Sequence, residues 1–290
     1  MKLVRFGERG QERPGLWLAD GCGNGKPGIL DIRAQAFDIE DFDARFFTRW
    51  GLARVANLTH ESKKAIIPAD TVRLAPPLPA SGKIICVGKN YADHAAEFDA
   101  EVPKAPVLFA KAPSSWIGPH DAILLRPGVT RLDAEAELAV IIGREARNVV
   151  ESAALSYVAG YTVLNDVTDR DAQRDDKQWF RGKSGDTYCP VGPWWITADE
   201  VPDPQALRVF SKLNGTTLQD GHTSRMLFPI ARLIAFASAS MTLNPGDVIS
   251  TGTPSGVGFA RTPPVLLKNG DVIEVGVEGV GELRSAVRSV

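Results

Sequence analysis

Sulfur is scarce in this 290-residue chain, which has three cysteines and three methionines. Cys22, Cys86 and Cys189 are far apart, odd in number and form no C-x-x-C pair. That excludes a disulfide framework and a thiolate zinc site, and it suits a reducing compartment. Long apolar runs are also missing: none reaches the roughly 18 residues a membrane span needs. The opening Met1-Lys2-Leu3-Val4-Arg5-Phe6-Gly7-Glu8 has no signal-peptide core, so a cytoplasmic chain is expected. Neither charge sign dominates, with 33 Lys+Arg against 35 Asp+Glu. Nothing therefore points to a nucleic-acid or membrane-surface partner.

Several motifs are absent too. Asp20-Gly21-Cys22-Gly23-Asn24-Gly25 is a turn cluster; position 26 is lysine, so it is no dinucleotide fingerprint. Gly182-Lys183-Ser184 tempts a P-loop reading, but Lys177 stands five residues before Gly182, where that motif needs glycine. No G-x-S-x-G occurs, which removes a nucleophile elbow.

What remains is ordinary globular composition, 44% hydrophobic and 23% charged, in a length that suits one large domain or a main domain with a smaller one. Short strands are predicted at 2–6, 16–19 and 29–32. A helix-like stretch follows from Phe37 to Asn57, its aromatics reading as core. The stretch 66–83 contains Pro68, Pro76, Pro77 and Pro79 and reads as an extended linker or edge segment. We therefore expect a small N-terminal β-rich domain over 1–78 and a main domain over 79–290. Within the latter, strands are predicted at 83–88, 107–110, 122–125, 160–165, 208–213, 248–251 and 272–277. Asn214-Gly215 signals a hairpin turn, and Pro229 to Met241 is the best helix in the chain.

The stretch Leu132 to Gly143 carries the most chemistry. Leu138 to Ile142 reads as a buried strand. Alternation would put Asp133, Glu135 and Glu137 on one face. Carboxylates crowded near a core repel each other and lose hydration, costs that a hard cation removes. The plainer reading is an edge strand with its acidic face in water. Further along, Asn165-Asp166-Val167-Thr168-Asp169-Arg170-Asp171 is a polar strand end, which could be only a turn and helix cap. Arg170 and Gln173, three apart at a helix start, could face one site. His94 and Glu97 have the same spacing, which alone reads as a surface pair. The run Thr251-Gly252-Thr253-Pro254-Ser255-Gly256-Val257-Gly258 marks close backbone approach or a tight bend.

In this order these features resemble the fumarylacetoacetate hydrolase family, from about Lys83 to the C-terminus. The N-terminal segment and Arg261-Thr262-Pro263-Pro264-Val265 look most like its bacterial branch of 2,4-diketo-3-deoxy-L-rhamnonate hydrolases, acylpyruvate hydrolases and 2-hydroxyhepta-2,4-diene-1,7-dioate isomerases. The resemblance implies an α+β, predominantly β fold with a roll-like catalytic domain, and a homodimer. It implies Glu135, Glu137 and Asp166 as metal ligands for Mg²⁺, with Mn²⁺ or Ca²⁺ as alternatives. His94 and Glu97 match the family's catalytic dyad. Lys183, Arg170 and Gln173 match positions that hold substrate oxygens, and Thr253 a substrate-binding loop. Ala134 and Gly185 replace bulkier residues of many members, implying a reshaped pocket.

The expected reaction is hydrolytic cleavage of a C–C bond in a 2,4-dioxo acid, with His94 as the base that activates water and Lys183 as an oxyanion partner. Decarboxylation of oxaloacetate-like acids and keto–enol isomerisation need the same enolate stabilisation and are the alternatives. A non-catalytic binding protein on the same fold is the third.

Overall fold

A computed structural model describes residues 1–59, 66–80, 82–97 and 101–290. The N-terminal strands are β1 (Lys2–Phe6), β2 (Arg13–Leu18), β3 (Gly28–Asp31), β4 (Ile66–Pro68) and β5 (Leu74–Ala75), with helices α1 (Ile32–Gln35), α2 (Ala44–Thr48) and α3 (Gly51–Leu58) between β3 and β4. Then come β6 (Ile84–Gly88), α4 (Ala92–Ala96), β7 (Val107–Ala110), β8 (Trp116–Ile117), β9 (Ile123–Leu125), β10 (Leu132–Asp133) and β11 (Ala136–Ile142). The chain continues through β12 (Val158–Asn165), β13 (Thr168–Asp169), α5 (Arg170–Asp175), α6 (Phe180–Lys183) and β14 (Cys189–Thr197). It ends with β15 (Arg208–Leu213), β16 (Thr216–His222), α7 (Ile230–Ser240), β17 (Val248–Ser250), β18 (Val272–Val277) and β19 (Gly281–Ser289). The fold is α+β and mostly sheet.

One large sheet runs β4-β3-β2-β1-β14-β12-β11-β17-β6-β7, and a second runs β16-β15-β18-β19-β9. The strands of the first 78 residues join the later ones where β1 pairs with β14. The second sheet packs on the middle of the first, with β18 and β19 against β11, β12 and β14. Leu138, Val140 and Ile142 face that interior with α7, whereas Ala139 and Ile141 face a second core with Phe42, which precedes α2, Phe46 of α2 and Val55 of α3. Burial on both faces explains why the strand is apolar without alternation. Each large aliphatic side chain so buried contributes about 1.5–3 kcal/mol.

The sequence expectations meet this architecture unevenly. Asn214 and Gly215 both have positive φ (51° and 82°) and join β15 to β16, as the turn signal required. The helix expected over 37–57 is broken in two, because Trp50 takes a left-handed φ of 60° between α2 and α3. The sequence from Asn90, a plausible N-cap, to Phe98 also reads as a short helix; α4 covers 92–96 of it, and Phe98 lies outside the described residues. Strand β14 was not legible. Pro190, Gly192 and Pro193 punctuate it, and the sheet absorbs them through a register shift against β12.

Candidate active site

Register creates the site. Antiparallel pairing sets Ala136 opposite Asn165 and Glu137 opposite Leu164, so the start of β11 lies against the end of β12. The residues just outside the ladder then meet: Asp166 donates its backbone N–H to the Glu135 carbonyl at 2.9 Å. Carboxylate oxygens of Glu135, Glu137 and Asp166 come within 4.8 Å of one another, and all three residues are buried. These are the three acids the resemblance implies.

Asp133 does not join them, contrary to the alternation argument. The strand breaks at Ala134 and Glu135, and Asp133 pairs with Thr168 in a separate two-stranded ribbon. Its carboxylate instead accepts from Arg170 Nε and Nη2, at 3.0 and 2.7 Å, and from the Phe259 N–H. Arg170 Nη2 also lies 2.7 Å from Glu135 Oε1, and its Nη1 donates to Gln173 Oε1 at 3.1 Å. Arg170 and Gln173 thus share one site, with the guanidinium clamped between two carboxylates and held firmly protonated despite burial.

Lys183 arrives from α6. A Cβ on Gly182 would sit 2.6 Å from the Gln173 backbone nitrogen, so glycine there lets α6 approach α5 closely. That contact, rather than phosphate binding, accounts for the Gly-Lys-Ser triplet. Lys183 Nζ donates to Glu135 Oε2 at 2.8 Å and to Asp166 Oδ2 at 2.6 Å. Ser184 Oγ accepts from the Ala112 N–H at the end of β7.

The next residue back, Lys111, escaped the sequence reading. Its side chain is fully buried, and Nζ donates to Asp166 Oδ1 at 2.5 Å and to the Val167 carbonyl at 3.2 Å. The sole signal for it is a lysine directly after the strand Val107–Ala110. Gln219 escaped too. Fully buried, it accepts from the Ala136 N–H and Ser211 Oγ and donates to Thr253 Oγ1 and the Pro254 carbonyl. Every hydrogen-bonding direction of its amide is engaged, which locks the Thr251–Gly258 run to the carboxylate strand. Thr253 Oγ1 passes its proton to the Ala136 carbonyl, so in this arrangement the hydroxyl has none to give a substrate.

Glu137 differs from its neighbours. It accepts from Ser250 Oγ and from the Gly252 N–H at 2.8 Å, neither of them charged. Burial first, then the nearby Asp166 and Glu135, push its carboxyl up to about 8. Glu135 goes the other way. Burial opposes its ionisation, but Lys183 and Arg170 outweigh it and hold the group well below the usual range. Gly252 makes its own approach possible: φ is 95° and a Cβ would come within 2.8 Å of Asn90.

His94 sits on α4 above this floor, 7% exposed. Its Nδ1 lies 3.0 Å from Glu97 Oε2, and Glu97 Oε1 accepts from the Gly256 N–H at 2.6 Å. The neighbouring Asp93 accepts from Ser255 Oγ. The helix is thereby tied to the same loop that carries Thr253.

These groups border one cavity of about 340 Å³. Of the site residues the sequence analysis singled out, His94, Glu135, Glu137, Arg170, Gln173, Lys183 and Thr253 line it. Its apolar wall is Val87, Phe109, Trp179 and Phe259. Neither Ala134 nor Gly185 borders it. Gly185 lies under Tyr188 and Arg126, and Ala134 is core, so neither of those two positions contributes to the cavity wall directly.

Two acids at the entry to β11, a third just beyond its partner strand β12 and a His–Glu pair above them form a candidate metal and acid–base site. The chain belongs to the fumarylacetoacetate hydrolase family: residues 83–288 match the family described as fumarylacetoacetate (FAA) hydrolase C-terminal. A Burkholderia multivorans protein whose name carries no substrate is 44% identical over 291 residues, covering 100% of this chain and 99% of that protein. The structure of maleylpyruvate hydrolase from Sphingobium sp. SYK-6 in complex with manganese(II) ion and pyruvate is similar with a TM-score of 0.81, 32% identity and coverage of 100% and 99%. That of 2-hydroxyhepta-2,4-diene-1,7-dioate isomerase from Mycobacterium marinum has a TM-score of 0.77, 32% identity and coverage of 100% and 98%.

Proposed function

We propose that this protein is a divalent-metal-dependent hydrolase that cleaves a C–C bond in a 2,4-dioxo acid, acylpyruvate-like or a 2,4-diketo-3-deoxy sugar acid, to pyruvate and a carboxylic acid. The observation that supports the reading is the convergence of three buried carboxylates beside a cavity that Glu135, Glu137 and His94, paired with Glu97, line. The donor set fits a hard cation. It offers oxygen only, and Glu137 accepts its hydrogen bonds from Ser250 Oγ and the Gly252 N–H, neither of them charged. Glu135, Glu137 and Asp166 would hold Mg²⁺, or alternatively Mn²⁺ or Ca²⁺. Such an ion supplies Lewis-acid polarisation of a substrate oxo group and disperses the negative charge that cleavage leaves on the pyruvate portion.

The chain's own residues supply the rest. Glu97 accepts the Nδ1 proton of His94, which fixes the tautomer and leaves Nε2 as the basic nitrogen facing a water. Glu97 is itself held by the Gly256 N–H, so the ring is aimed from two sides. Lys183 stays protonated: burial opposes its charge, but Asp166 and Glu135 prevail. It is therefore a donor for an oxygen that gains charge. Arg170 and Gln173 orient the substrate carboxylate from the α5 side. Phe109 and Trp179 exclude water beside the acyl portion.

The competing decarboxylase and isomerase readings need no attacking water. Acetylpyruvate and oxaloacetate should be followed by absorbance with Mg²⁺ or Mn²⁺ and with EDTA. Metal-dependent loss of acetylpyruvate with stoichiometric acetate, abolished in His94→Ala, supports hydrolysis. Metal-dependent turnover that His94→Ala leaves intact points to decarboxylation, and no turnover of either acid without metal uptake points to a binding protein. We also propose a cytoplasmic homodimer with no membrane or nucleic-acid partner, which light scattering and fractionation test. Among the described residues no helix is long and apolar enough to cross a membrane.

A further inference from the structure

Of the three acids between Leu132 and Gly143, Asp133 is the one that the reaction described above leaves idle. It is 1% exposed and does not border the cavity. A buried carboxylate persists only where donors offset its lost hydration. Here those donors belong to the lining of the cavity. Oδ2 accepts from Arg170 Nε at 3.0 Å, from Arg170 Nη2 at 2.7 Å and from the Phe259 N–H at 3.1 Å. Oδ1 accepts from the Ala134 N–H at 2.9 Å. The guanidinium also lies over the Phe259 ring, 5.7 Å from its centroid. Arg170 and Phe259 both border the cavity, so one oxygen fixes a charged and an apolar part of its wall.

The surroundings hold that oxygen still. Asp133 is paired with Thr168 in the β10–β13 ribbon, and Arg170 opens α5 directly after β13. Gly258, next to Phe259, packs so closely that a Cβ there would lie 3.0 Å from Asp133 Oδ1. Arg170 is contested between two acids, since Nη2 is also 2.7 Å from Glu135 Oε1. The pull of Asp133 on the Nε edge leaves Nη1 beside Gln173 Oε1, at 3.1 Å. Without that pull, Glu135 would draw the guanidinium round, as a carboxylate favours paired N–H donors from one arginine.

We propose that Asp133 is a positioning residue, which holds the Arg170 guanidinium edge-on so that Arg170 and Gln173 stay set for a substrate carboxylate. This rests on the reading of Arg170 as the carboxylate anchor. It makes a prediction opposite in sign to simple electrostatics. Removing a negative charge beside Arg170 should tighten an anion if charge alone mattered. Loss of position should weaken it, by about tenfold.

Calorimetry on the Mg²⁺-supplemented full chain would compare pyruvate with pyruvamide, which keeps the 2-oxo group and lacks the carboxylate. Wild type should favour pyruvate. Asp133→Asn should bind pyruvate about tenfold more weakly and pyruvamide within about twofold of wild type, and its crystals should show the guanidinium turned toward Glu135. Unchanged or tighter pyruvate binding overturns the proposal. So does an equal loss for pyruvamide, which marks general damage, or a guanidinium that has not moved. If Asp133→Asn loses its fold by circular dichroism, Asp133→Glu decides. Its extra methylene displaces the guanidinium, so pyruvate alone should weaken, and wild-type pyruvate binding counts against the proposal. If wild type itself shows no preference for pyruvate, the carboxylate-anchor reading of Arg170 falls. The crystals then decide for Asp133 alone, a turned guanidinium upholding it and an unmoved one overturning it.

Discussion

The floor and the rim of the cavity are built differently. The floor consists of strand ends. Glu135, Glu137 and Asp166 are buried, and Lys111, Lys183, Arg170, Ser250 and the Gly252 N–H engage their oxygens. The rim is one five-residue helix, α4, which the Glu97–Gly256 and Asp93–Ser255 bonds tie to the loop opposite. In the proposed reaction, cation binding and proton transfer would therefore reside on separate supports. The first is part of the sheet's packing, and the second hangs on a few local hydrogen bonds. Damage to the floor should remove metal affinity, and damage to the rim should remove turnover alone.

The largest expected effect tests the floor. Asp166→Asn should lower turnover at least about 10³-fold and metal affinity more than about 100-fold, because it removes a ligand and leaves Lys111 and Lys183 short of counter-charge. Steady-state kinetics and calorimetry check both. On the rim, His94→Ala should lower kcat by about 10²–10⁴-fold while Mn²⁺ affinity stays within about twofold. A joint loss would erase the distinction between floor and rim. Lys111→Met lies beneath the floor. It should cost about 3–5 kcal/mol of stability, read by denaturant unfolding, since Asp166 would lose a buried partner.

Glu137 sharpens the comparison through pH. Its carboxyl is pushed up to about 8 in the folded chain from an ordinary value near 4.5. The metal-free native state thus holds a proton that the unfolded state has released. Its stability should fall as pH rises through the window between those values, with the loss complete above about pH 8. Added Mn²⁺ should reverse the trend, and metal affinity should rise with pH up to about 8 as the proton is displaced. Glu137→Gln should abolish the apo slope and the metal affinity together. The smallest effect is expected at Gln219→Leu: a several-fold rise in KM with kcat nearly kept, as the Thr253 loop loosens.

How far the site could be read from sequence follows the same division. The acids, the His–Glu pair and Lys183 were named through the resemblance, which rests on the order of local motifs along the chain; spacing alone read His94 and Glu97 as a surface pair and the Asp166 loop as a turn or cap. Asp133 was misplaced because alternation assumes one continuous strand, and the break at Ala134 and Glu135 depends on a ribbon formed with Thr168, 35 residues on. Lys111 and Gln219 were invisible for a related reason. The site contacts they make, Lys111 to Asp166 and Gln219 to Thr253, span 55 and 34 residues, and no spacing rule links a lone lysine after one strand to an aspartate beyond the end of another. In the fold, β11 was legible from its continuous apolar run. Strand β14 was hidden by its prolines, although it joins the N-terminal strands to the rest of the sheet.

The central claim is that three acids from two adjoining strand ends make one cation site. The most direct measurement is an anomalous-difference map from crystals soaked in Mn²⁺. The account expects a single strong peak at about 2.0–2.6 Å from one oxygen each of Glu135, Glu137 and Asp166. A map with no peak there at saturating Mn²⁺, or one whose peak touches only one of the three, would contradict it.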